Sequence, residues 1–254
     1  MYLKKTYYLQ NCIEIEKCYT ARYNIKGEKR VKREKPTTEA VKKYNTKKSV
    51  DNLRRMILNN FVDGWHMVLT YTKTARPTIK EAEKLVKNFF RRMKYHLAKI
   101  GVEFKWILVT EYENKAIHHH VIINDAPGLF EIVKKQWKYG RPNFTPLDDD
   151  VQGLAEYLVK ETNKTFRNED NVKKQRYTHS RNLIIPEPKI EVIFSNEFRK
   201  EPQTIKGYML VTDSILNGVS DVTGYAYQSY RLLKIQKMRI WKESYGFMVG
   251  GIKR

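Results

Sequence analysis

Phe104-Lys105-Trp106-Ile107-Leu108-Val109-Thr110-Glu111-Tyr112, followed by Ile117-His118-His119-His120-Val121-Ile122-Ile123, is the stretch whose reading decides the fold. Both runs are rich in β-branched and aromatic residues, and Asn114-Lys115 between them supplies a turn, so they predict two strands of an antiparallel hairpin. Side chains alternate along a strand. His118 and His120 therefore share one face, and His119 points to the other.

Working outward, Trp65-His66-Met67-Val68-Leu69-Thr70-Tyr71-Thr72 predicts a preceding strand. Thr78 to Ile100 predicts a helix, with Leu85, Phe89, Met93, Leu97 and Ile100 on one apolar stripe and Gly101 as its stop. On the far side, Gly128 to Trp137 reads as a helix and Pro142 to Leu147 as a short strand. Asp148-Asp149-Asp150 then caps a helix from about Val151 to Asn163. The order strand, helix, strand, strand, helix, strand, helix predicts an α+β fold, an antiparallel sheet covered on one face by helices.

This core spans residues 63–165, with a basic extension at 1–62 and a C-terminal extension at 166–254. In the first extension, Cys12 to Tyr19 predicts one arm of a hairpin, Asn24-Ile25-Lys26-Gly27 its turn and Lys29 to Lys35 a basic second arm. A helix follows: Thr38 and Glu39 stand where a cap belongs, and Val50, Leu53, Met56 and Ile57 recur at helical spacing. In the last extension, Lys189 to Phe194 is strand-like.

Charge narrows the partner. Of 254 residues, 49 are Lys or Arg and 28 are Asp or Glu, a formal net charge of +21. From Glu28 to Arg55, eleven basic residues stand against four acidic ones, 11 − 4 = +7, either as a solvated helix face or as a phosphate-contacting one. Seventeen Tyr, ten Phe and four Trp interleave with these charges and offer faces on which unpaired bases stack. Nucleic acid is the expected partner. No run of about 18 apolar residues exists to span a bilayer, and the N-terminus lacks the features of a signal peptide. The expectation is a soluble, cytoplasmic protein without a membrane partner, its Cys12 and Cys18 reduced.

Two constellations carry chemistry. His118 and His120, about 7 Å apart at Cα on one strand face, can chelate a divalent ion when Glu111 on the neighbouring strand adds a carboxylate. Such a His/His/Glu set suits Mg²⁺ or Mn²⁺, whose shell is completed by oxygen donors; the alternative is three packed side chains. On the helix after Asp150, Tyr157, Lys160 and Lys164 fall at i, i+3 and i+7 on one face. A phenol with pKa about 10 is a poor nucleophile at neutral pH, and an adjacent ammonium or metal ion activates it. Taken alone, Tyr157 and Lys160 equally describe an ordinary amphipathic pair.

In combination these motifs resemble a family. Met67-Val68-Leu69-Thr70-Tyr71 is similar to a first strand motif, His118-His119-His120 to a His-hydrophobe-His motif, and Tyr157-Leu158-Val159-Lys160 to a Tyr-x-x-Lys motif, in the order found in the HUH endonucleases of rolling-circle replication. The nearest resemblance is to replication initiators of bacterial phages, plasmids and mobile elements, including the filamentous-phage type. Those initiators carry paired tyrosines, whereas this helix holds Tyr157 alone.

The resemblance implies a ferredoxin-like or RRM-like core and metal-dependent transesterification. His118, His120 and Glu111 would bind Mg²⁺ or Mn²⁺, and Tyr157, assisted by Lys160, would attack single-stranded or hairpin origin DNA. The products would be a 5′-phosphotyrosine and a 3′-OH that primes a DNA polymerase. A relaxase or a single-tyrosine transposase would use the same chemistry, and a non-catalytic DNA-binding regulator would need none of it. Lys164, Arg181, Lys29, Arg30, Lys32 and Arg33 are the candidate DNA contacts, with Tyr177 and His179 beside the path. None of the twelve glycines precedes a Lys, so no phosphate loop signals a fused helicase, and a host helicase becomes an expected partner.

Overall fold

A computed structural model describes residues 2–19, 38–112, 116–148, 151–166 (backbone only at 163–166), 176–195, 197–220, 222 and 225–235. The chain opens with β1 (Tyr2–Tyr8), β2 (Cys12–Cys18) and helix α1 (Glu39–Asn60). Next come β3 (Trp65–Leu69), α2 (Ile79–Lys99), β4 (Trp106–Glu111), β5 (His118–Ile123), α3 (Leu129–Gln136), β6 (Pro142–Pro146) and α4 (Gln152–Phe166). It closes with β7 (Thr178–His179), β8 (Lys189–Ile193), β9 (Tyr208–Val219) and β10 (Ala226–Lys234). The fold is α+β, with two antiparallel five-stranded sheets ordered β6-β3-β5-β4-β7 and β8-β1-β2-β10-β9.

Local chemistry places the helices. At α1, the Thr38 hydroxyl accepts from the Val41 amide. A capping box opens α2: Thr78 accepts from the Glu81 amide while the Glu81 carboxylate accepts from the Thr78 amide. Gly101, at φ +73°, ends that helix in the left-handed region that glycine enters without penalty. The expected apolar stripe of α2 holds at Phe89, Met93 and Leu97, each 0 % exposed. It does not extend to Ile100, which is 47 % exposed because it caps the helix beyond the last buried turn.

Helices cover both faces of the first sheet, where local pattern predicts one. On one face, Met67, Leu69, Val121 and Ile123 pack under Phe89, Met93 and Leu97 of α2 and Val133 of α3. On the other, Ile107, Val109 and Ile122 pack under Leu53 and Ile57 of α1 and Ala155, Leu158 and Val159 of α4. The cause is visible at the centre of the sheet: β5 carries Val121, Ile122 and Ile123 consecutively, and a continuous apolar run needs shelter on both sides.

The expected N-terminal hairpin also takes a different form. Its turn and basic arm, 24–35, lie outside the described residues, and β2 pairs with β1 on one side and β10 on the other. Both edges of β2 are occupied by described strands. The two ends of the chain thus close one sheet, around a small core of Ile13, Ile15, Tyr230 and Leu232.

A buried ion network docks this second sheet on α1. Glu14 of β2 accepts from Arg54 Nη2 at 2.7 Å and from Arg55 Nη2 at 2.5 Å, and Arg55 also pairs with Glu16. The Arg55 guanidinium lies 3.7 Å from the Tyr7 ring centroid. These two arginines of the basic 28–55 stretch are therefore structural. Exposed positive charge on α1 comes instead from Lys42, Lys43, Lys47 and Lys48. No disulfide joins Cys12 and Cys18, and among the described residues no helix is long and apolar enough to cross a membrane.

Candidate active site

Register assembles the site. Glu111 of β4 is directly opposite His118 of β5, Val109 opposite His120, and Val68 of β3 opposite His120 from the other side. Since faces alternate, Glu111, His118, His120 and His66 of β3 all project to the face covered by α1 and α4. From above, α4 delivers Tyr157. Its apolar side, Ala155, Leu158 and Val159, is pinned into the core, so Tyr157 is turned toward the edge of the packed region and is 38 % exposed.

The convergence is tight. His118 Nε2 lies 3.0 Å and His120 Nε2 3.5 Å from Glu111 Oε2. Tyr157 Oη is 3.5 Å from both Glu111 Oε2 and His120 Nε2. Among the described residues, Glu111, His118 and His120 form a group whose ligand atoms all lie within 4.8 Å of one another, able to hold a metal ion. Glu111 and His120 are buried, 3 % and 5 % exposed, His118 is partly so, and a carboxylate converging with two imidazoles fits a divalent cation. Burial, reinforced by the neighbouring His66 and His118, pushes the His120 imidazole down to about 4 against the opposing pull of Glu111. The ring is neutral at pH 7, as a ligand must be.

His119 takes the opposite face, as alternation predicts. Its Nε2 is 2.8 Å from Tyr71 Oη and its Nδ1 2.9 Å from Thr110 Oγ1, among Trp137 and Tyr71 rings. Burial, with His118 and His120 nearby, lowers it to about 3, so it is a neutral, hydrogen-bonded part of the core.

Lys160 lies one turn beyond Tyr157 and is exposed. Lys164 is in α4, its side chain outside the described residues, as are Lys29, Arg30, Lys32 and Arg33. Arg181 and His179 are exposed, but the structure does not bring them to the carboxylate. His179 of β7 pairs with Ile107, and the Ser180 amide bonds the Trp106 carbonyl, at the start of β4. Glu111 ends that strand, about 17 Å away at ~3.4 Å per residue. Tyr177 packs on the α1/α4 core, and burial raises its phenol above the ordinary value.

Sequence reasoning missed His66. Its Nε2 is 3.0 Å from His120 Nδ1, with the ring centroids 5.2 Å apart and the ring planes 18° from parallel. Alternation along β3 sets it opposite in facing to Met67 and Leu69, but only the register of β3 on β5 reveals its neighbour.

Residues 65–166 match the family model described as Replication-associated protein ORF2/gene 2 protein. No curated protein and no solved structure matches the chain. The matched segment runs from β3 to the end of α4, and so contains Glu111, His118, His120 and Tyr157 as well as His66.

Proposed function

We propose that this protein initiates rolling-circle DNA replication by nicking single-stranded or hairpin origin DNA, with Tyr157 as nucleophile, and later rejoins the strand. The observation that carries the reading is the position of Tyr157 Oη, 3.5 Å from both Glu111 Oε2 and His120 Nε2. A lone tyrosine on an amphipathic helix has no reason to meet a His/His/Glu group; a phosphotyrosine-forming nucleophile must. The match of residues 65–166 to a replication-associated family model supports the same reading.

Glu111, His118 and His120 would hold Mg²⁺ or Mn²⁺. When bound, the ion supplies Lewis-acid polarisation of the scissile phosphate and neutralises charge gathering on its oxygens. Tyr157 Oη forms the new bond to phosphorus as the bond from phosphorus to the 3′ oxygen breaks. The phenolic proton is lost to solvent, to which Tyr157 is 38 % exposed, and the departing 3′ oxygen takes a proton from solvent to become the 3′-OH. Lys160, exposed on the next turn, adds positive charge beside the phosphate. One phosphodiester is exchanged for another, so the bond energy stays in the phosphotyrosine. A later 3′-OH can attack it and restore a continuous strand, without a nucleoside triphosphate.

The test incubates the protein with labelled single-stranded origin DNA and Mn²⁺ and resolves the products in SDS. An SDS-resistant adduct is expected with wild type and absent with Tyr157→Phe; an undiminished adduct in that variant removes Tyr157 from the role. His118→Ala/His120→Ala is expected to abolish cleavage while retaining salt-sensitive DNA binding. Loss of both would assign the histidines to structure.

A further inference from the structure

Each of the two imidazoles has two ring nitrogens, and only one can face a metal. His118 resolves this with the backbone: its Nδ1 is 2.9 Å from the Ala116 carbonyl oxygen, an acceptor only, so Nδ1 donates there and Nε2, on the side of Glu111, is the nitrogen left to ligate a metal. Among the described residues, no carbonyl takes that place at His120 Nδ1. In its place stands His66 Nε2, at 3.0 Å.

We propose that His66 is a positioning residue for the metal centre: its Nε2 accepts a hydrogen bond from His120 Nδ1–H and so keeps Nε2 of His120, the nitrogen facing Glu111 and Tyr157, as the ligating nitrogen. This rests on the proposed metal centre and deepens it. The geometry has three parts. His120 Nε2 is the nitrogen that faces Glu111 Oε2 and Tyr157 Oη, both at 3.5 Å. Ligation through Nε2 requires the proton on Nδ1, and His66 Nε2 is at hydrogen-bonding distance from it. Finally, the two rings lie 18° from parallel, held by β3 and β5 of one sheet, so the acceptor is set by the register of adjacent strands rather than by a mobile loop. The two ligands would thus be oriented by different means, His118 by its own strand's backbone and His120 by a side chain from the neighbouring strand.

The role predicts a specific pattern. His66→Phe keeps a ring against His120 but removes the acceptor, and His66→Gln returns an acceptor oxygen near the position of Nε2. Binding of Mn²⁺ to the full chain, measured by titration calorimetry or by the loss of the free-ion paramagnetic resonance signal, should weaken about 10–100-fold in His66→Phe. It should return to within a few-fold of wild type in His66→Gln. Excess Mn²⁺ should restore most of the cleavage rate of His66→Phe, since the nucleophile is untouched. A second measurement needs no variant. Long-range ¹⁵N–¹H correlation spectra of the Mg²⁺-loaded wild type should show His120 protonated at Nδ1 and His66 unprotonated at Nε2.

Unchanged Mn²⁺ affinity in His66→Phe, or a proton on His66 Nε2 in the Mg²⁺-loaded protein, would overturn the positioning role and leave the metal centre standing. Equal weakening in His66→Phe and His66→Gln would also overturn it, because the acceptor would then not be the operative feature. If wild type binds no Mn²⁺ that depends on His118 and His120, the metal centre itself fails and the role of His66 fails with it.

Discussion

Replacing Glu14 with Gln tests how the two sheets are joined. The Glu14 carboxylate bridges Arg54 at 2.7 Å and Arg55 at 2.5 Å, and all three side chains are 3–5 % exposed. Burial by itself raises the Glu14 carboxyl, but hydrogen bonds and charge from Arg55 and Arg54 more than offset this and hold it below the ordinary carboxylate value. Removing one partner of a buried ion pair costs about 3–5 kcal/mol, because the remaining charge stays desolvated. Here both arginines keep some compensation, Arg54 from Asp51 at 3.4 Å and Arg55 from Glu16 and the Tyr7 ring. The expectation therefore falls at the lower end, about 3 kcal/mol. Urea unfolding followed by circular dichroism measures it, and Glu14→Met with Arg54→Met and Arg55→Met should recover most of the loss, since the carboxylates that lose a partner, Asp51 and Glu16, are partly exposed and no fully buried charge is stranded. The sign with pH is set by the depressed carboxyl. Its contribution is fully present above the unfolded carboxylate value and is lost as pH falls through the lower folded one, so Glu14→Gln should flatten the acid limb of the stability profile. A loss below about 1 kcal/mol, the scale of an exposed pair, would refute a desolvated network.

Two further outcomes follow from the same geometry. Converting Lys42, Lys43, Lys47 and Lys48 of α1 to Gln should reduce the salt dependence of single-stranded DNA binding by up to about 3 in the slope of log K against log salt, at ~0.7 for each phosphate that is no longer neutralised. An unchanged slope would make that face of α1 a solvated one. Gly140→Ala should destabilise the protein by about 1–3 kcal/mol in thermal or urea unfolding. A Cβ there would overlap the Thr70 carbonyl oxygen and stand 2.9 Å from Tyr71 Cα, and backbone on both sides must shift to admit it.

The parts of the molecule that were legible in the sequence are those whose cause is local. Thr78 announces the start of α2 because its hydroxyl satisfies an amide within one turn, and Phe89, Met93 and Leu97 announce its buried face because helical period repeats every few residues. The division of labour in His118-His119-His120 is likewise local, a consequence of strand alternation, and the structure sends His119 to the Tyr71 and Thr110 side as that rule requires. Even the grouping of Glu111 with His118 needs only a short hairpin, whose two strands pair in the simplest register.

What no local pattern carries is partnership over distance. Ile13 faces Leu232 and Ile15 faces Tyr230 across most of the chain's length, so the second sheet exists only once the two ends meet. Arg54 and Arg55 look like any other members of a basic helix until Glu14 approaches from β2. His66 looks like one polar residue in a strand until β3 registers against β5 and brings it to His120. By itself, the sequence determined the helices, the central hairpin, the donor types at the candidate metal centre and the tyrosine one helix away, because short-range hydrogen bonding and side-chain periodicity suffice for each. Only the tertiary structure decided that both faces of the sheet are buried, which arginines are consumed in ion pairs and which histidine stands behind His120. Those outcomes depend on burial and on the register between distant segments, which are properties of the packed chain and not of any stretch of it.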